Sequence, residues 1–117
     1  MISLPPTVKI FLSTQPADMR KSFDGLKHLV EQFLQDDPLS GHLFVFRNRR
    51  GDRLKILYWD RDGLAIWYKR LEVGTFVVPA AVDRSAGIEV QPAELAMLLD
   101  GVDLASVRRR KRYRRTA

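Results

Sequence analysis

Carboxylates, one serine–histidine pair and many guanidinium groups are what could do chemistry in this sequence, which has no cysteine and two histidines, His28 and His42. Asp60 and Asp62, with Asp52 or Asp100, are the residue types of a metal-dependent nuclease, where clustered acidic oxygens hold a divalent cation. The same Asp-Arg-Asp-Gly order is what a tight hairpin turn needs, and turn chemistry accounts for it fully. Ser22 and His28 are too far apart on a helix to face one another, and no third residue orients the histidine. A zinc site would need carboxylates to complete the two histidines. The sequence therefore predicts no catalytic residue, no metal and no cofactor: a protein that is not an enzyme.

Arginine is the remaining chemistry, and it is clustered. The formal net charge is +6, with 20 basic residues against 14 acidic ones. Seven of the 20 (Arg108, Arg109, Arg110, Lys111, Arg112, Arg114, Arg115) fall in the last ten positions, so 13 basic residues face 14 acidic ones before them. A nearly neutral body thus carries a cationic tail, and blocks of like charge are usually interaction tails. A second cluster, Arg47, Arg49, Arg50, Arg53 and Lys55, surrounds a Gly-Asp pair. Arginines there can meet phosphates bidentately, and a β-ribbon can enter a groove of duplex DNA. These twelve residues are the candidate nucleic-acid contacts. Tyr58, Trp59, Trp67 and Tyr68 could stack on unpaired bases, but aromatic residues on paired strands are more often core or cross-strand pairs.

The elements that must position these groups follow from the pattern. Residues 41–71 hold three runs rich in aromatic and β-branched residues, with turn clusters after the first two, as in an antiparallel meander. The basic and acidic turns then lie at opposite ends of the sheet. Val8–Leu12 and Ile88–Val90 read as short strands, and Thr75–Val78 as a further or edge strand closed by Pro79. Met19, Phe23, Leu26, Val30 and Phe33 recur at helical spacing, predicting a helix over Met19–Leu34 that Pro38 helps to end. Pro92 opens a second, short helix and Gly101 suits the residue past its end. The expected fold is α+β, an antiparallel sheet of about five strands with one long helix packed on one face, a short C-terminal helix and a basic disordered tail. Residues 1–105 form one domain and 106–117 the tail. No stretch suits a membrane span or a signal peptide, which predicts a cytoplasmic protein with no membrane contact.

Three stretches are long enough to compare with known families. They are Asp18-Met19-Arg20-Lys21-Ser22-Phe23-Asp24-Gly25-Leu26, the run from Asp37 to Asp60, and Tyr68-Lys69-Arg70-Leu71-Glu72 with Phe76. From about Val8 to Gly101 the sequence closely resembles the TnpB-type accessory proteins, the second open reading frame products of the insertion-sequence family numbered sixty-six. The resemblance implies a bacterial transposition accessory protein, encoded beside a transposase that carries the catalytic acidic residues, and no catalytic residue in this chain. DNA and the transposase of the same element are the implied partners. The arginine-rich stretch after Asp103 is not part of the shared pattern. The alternative is an interaction module that docks on the transposase without touching nucleic acid.

Overall fold

A computed structural model of the chain describes residues 7–78 and 86–101. The arginine-rich tail, the proposed boundary at residue 105 and Pro79 lie outside the described residues. The elements are β1 (Ile10–Ser13), α1 (Phe23–Leu29), which continues as a π-helical turn over Val30–Leu34, β2 (Leu43–Arg47), β3 (Arg53–Asp60), β4 (Gly63–Arg70), β5 (Gly87–Val90) and α2 (Pro92–Leu99). The fold is α+β, and the strands form one sheet in the order β4-β3-β2-β1-β5.

The sheet is mixed rather than antiparallel. β2, β3 and β4 form the expected meander, and β5 runs antiparallel to β1. β1 and β2, however, pair in parallel, with Ile10 opposite Leu43 and Leu12 opposite Val45. The cause is the helix between them. A helical crossover returns the chain to the end of the sheet from which it left, so two strands joined by one run the same way. The Thr75–Val78 segment is not a strand. It lays the Phe76 side chain fully into the core between exposed Thr75 and Val77, and the Phe76 N–H donates to the Gly51 carbonyl at 2.8 Å.

The helix is also shorter than its apolar period. Asp18 spends residues 18–21 on a turn, its carboxylate accepting the Arg20 N–H at 2.9 Å and its carbonyl accepting that of Lys21 at 3.0 Å. Helix begins only after Ser22, and Gln35, at φ 52°, ends it in the left-handed region.

Both faces of the sheet are covered. On one side Leu26 and Val30 of the helix pack on Phe44, Phe46 and Leu57. On the other, Leu95 and Leu98 of α2 and Phe76 pack on Ile10, Leu12, Leu43, Val45, Leu54 and Ile56. The α2 helix has Pro92 in its first turn and a capping box between Gln91 and Glu94, which satisfies N–H groups that a helix start leaves open. No helix among the described residues is long and apolar enough to cross a membrane.

Candidate nucleic-acid interface

Gly51 makes the basic turn possible. At φ 81° it occupies the left-handed region, where an L side chain is strained. Asn48 then braces the reversal, its Oδ1 accepting the Arg53 N–H at 3.0 Å and its Nδ2 donating to Asp52 Oδ1 at 2.7 Å. The turn is gripped from both sides. Ala17 donates its N–H to the Arg47 carbonyl at 2.9 Å, while Leu71 and Phe76 donate theirs to Asp52 and Gly51 at 2.8 Å each. Three backbone hydrogen bonds from two chain segments thus fix one loop, so its arginines project from a braced base.

Between this turn and the loop before α1 lies a cleft of about 580 Å³, lined by Pro16–Met19 on one wall and by Asn48, Arg49, Arg50, Asp52 and Arg53 on the other. Arg49 and Arg50 are exposed and Arg53 half-buried, its Nη1 donating to the Tyr68 hydroxyl at 3.3 Å. Two carboxylates also border the cleft, and both are already engaged. Arg20 grips Asp18 with Nη2 at 2.7 Å from Oδ2, and this hydrogen bonding lowers the Asp18 pKa from 3.8 to about 2. The Asn48 amide, then the charges of Arg50 and Arg53, hold Asp52 below its ordinary range. With Arg20 included, four guanidinium groups stand against two carboxylates.

Two of the expected contacts are placed elsewhere. Arg47 Nη1 donates to the Phe76 carbonyl at 2.7 Å, which ties the 71–78 segment to the sheet. Lys55 is not a surface cation: it is 7% exposed, and its Nζ donates to the Met19 and Lys21 carbonyls at 2.8 Å each, 4.7 Å from the centre of the Tyr68 ring. Strand alternation sets Lys55 on the face that receives the helix, where its stem is covered and its ammonium meets the pre-helix turn. The tail cations Arg108, Arg109, Arg110, Lys111, Arg112, Arg114 and Arg115 lie outside the described residues.

The aromatic residues do not form one platform. Tyr58 and Trp67 pack with the core on the α2 side, whereas Tyr68 lies with Lys55 on the other. Asp60 and Asp62 are exposed in the β3–β4 turn, and among the described residues no three histidine or acidic side chains converge as metal ligands would. Sequence reasoning missed the Pro16–Met19 wall. Its signal was Asp18 two residues before Arg20, a spacing at which an aspartate accepts a backbone N–H within its own turn.

Comparison with known proteins gives two kinds of match. The family model described as IS66 Orf2 like protein matches residues 8–109, reaching past Gly101 into the first two arginines of the tail. The chain is 38% identical over 110 residues to a Sinorhizobium fredii protein named "Uncharacterized protein y4jC", covering 94% of this chain and 92% of that one. It is 39% identical over 103 residues to "Uncharacterized protein y4hO" of the same organism, covering 88% of each. No solved structure matches.

Proposed function

From the premise that this chain belongs to the IS66 Orf2-like family, and so is an insertion-sequence accessory protein, we propose that it holds the element's DNA by its phosphates at the cleft beside the β2–β3 turn. The observation that supports this reading is the braced turn presenting exposed Arg49 and Arg50, with Arg53 behind them, beside carboxylates already satisfied by Arg20 and Asn48. A carboxylate already paired within the protein repels an incoming phosphate less, and a turn whose backbone is already braced has less to order on binding. Arg47 and Lys55 support the cleft from behind and leave contact to the other three. The tail adds seven cations within ten residues. Contacts of this kind position a protein on DNA without reading sequence. The protein performs no chemistry of its own in this reading, and the transposase of the same element is its partner.

A second reading, docking on the transposase without DNA contact, draws on Phe23 and Phe33, which are 44% and 58% exposed on the helix. Duplex binding followed by fluorescence anisotropy across a salt series separates the two. Arg49→Ala/Arg50→Ala should weaken binding and lower the slope of log affinity against log salt by about two; deleting residues 106–117 should lower it by up to about six. Parent-like affinity and slope in both variants would leave the docking reading in its place.

A further inference from the structure

The sheet ends in two unlike edges. β5 has four residues, includes Glu89 and is followed by Pro92, and short, charged or proline-flanked strands are how sheet edges are kept from pairing. β4 has eight residues, with neither charge nor proline from Gly63 to Tyr68. Among the described residues no strand pairs with its outer side. Because the Leu71 N–H, one residue past β4, is directed at the Asp52 carbonyl, one residue before β3 and next in register after the Arg53–Arg70 pair, the alternation of an antiparallel ladder turns the backbone groups of Leu64, Ile66, Tyr68 and Arg70 outward. Leu64 and Ile66 are only partly buried against the helix-side core, and Tyr68 is 47% exposed.

We propose that β4 pairs antiparallel with β4 of a second copy of this chain, joining two five-stranded sheets about a twofold axis. Charge selects this occupant and its direction. An acidic turn containing Asp60 and Asp62 precedes β4, and Lys69 and Arg70 close it. Antiparallel self-pairing sets each end against its opposite in the other copy, whereas parallel pairing sets like against like. Since only outward-turned residues exchange hydrogen bonds, two registers keep seven of the eight residues paired. Centred on Trp67, Asp62 would meet a second acid, Glu72. Centred on Ile66, Asp62 stands opposite the partner's Arg70 and Leu64 opposite the partner's Tyr68. The second register is the one the charges favour. Arg70 now holds Glu72 through Nε at 3.1 Å, on the surface, and the rest of its guanidinium remains to meet Asp62. The pairing is isologous, so each contact occurs twice and the assembly closes at two copies.

Sedimentation equilibrium of the full chain tests this, with Arg70→Asp, Asp62→Arg and the double reversal, all at exposed positions. The parent should be a dimer. Each single reversal turns two opposed pairs into like charges and should weaken the dimer roughly tenfold, and the double reversal should restore the parent constant. A monomeric parent, a dimer untouched by the single reversals, or a double variant no tighter than the singles would overturn the proposal. DNA binding plays no part in this measurement.

Discussion

Lys55 and Asp18 show how much a charged residue's role depends on what its neighbours leave it. Lys55 follows Leu54 in a strand next to an arginine-rich turn, and on charge alone it belongs with Arg53. Strand alternation puts it on one face with Leu57, but the sequence did not show that the helix covers that face, and the turn that receives its ammonium was hidden by a helical period that continues back to Met19. Lys55→Met should keep the stem's packing and strip two backbone carbonyls of their donor. Denaturant unfolding should show a loss on the order of 1–3 kcal/mol, against no more than about 0.5 kcal/mol for Arg49→Ala. Asp18 titrates in the opposite sense to a repelled acid. Its depressed pKa means that the Arg20 contact contributes stability in full above pH 3.8 and loses it as pH falls toward 2. An NMR titration should place the Asp18 midpoint near 2, and Arg20→Ala should return it toward 3.8.

The β2–β4 meander was legible because its strands are long, rich in aromatic and β-branched residues and separated by turn residues that admit few alternatives. The parallel β1–β2 pair was less so. A strand of four residues carries little directional signal, and its direction is set by the crossover helix rather than by its own sequence. Thr75–Val78 has the composition of a strand, but Arg47 and Gly51 capture Phe76 and hold it across the core. The β2–β3 turn depends on this same junction, and Gly51 sits at its centre. An added Cβ at Gly51 would stand 3.3 Å from Thr75 Cβ, whereas at Gly41, also at positive φ, it would meet nothing within 4 Å. Both Gly→Ala changes should therefore cost about 1–2 kcal/mol in backbone strain, with the larger loss at Gly51. Thermal unfolding of the two variants checks the order.

Taken whole, the molecule is polarised along β3. That strand has eight residues, roughly 25 Å at the usual rise, with the arginine turn at one end and the Asp60–Gly63 turn at the other. The polarity was legible from two turn compositions and the rule that consecutive strands pair. The cleft was not, because it needs the Pro16–Met19 loop brought against the turn from some thirty residues earlier, through Ala17 and Arg47. A polyanion should therefore seat at one end only. Isotope-labelled protein titrated with a short DNA duplex, its backbone amides followed by NMR, locates that seat. Apart from the tail, the largest shifts should fall on residues 17–20 and 48–53, with residues 59–64 left unmoved. Shifts gathered at the Asp60–Gly63 turn or along the helix, with residues 48–53 unchanged, would contradict DNA contact at the cleft.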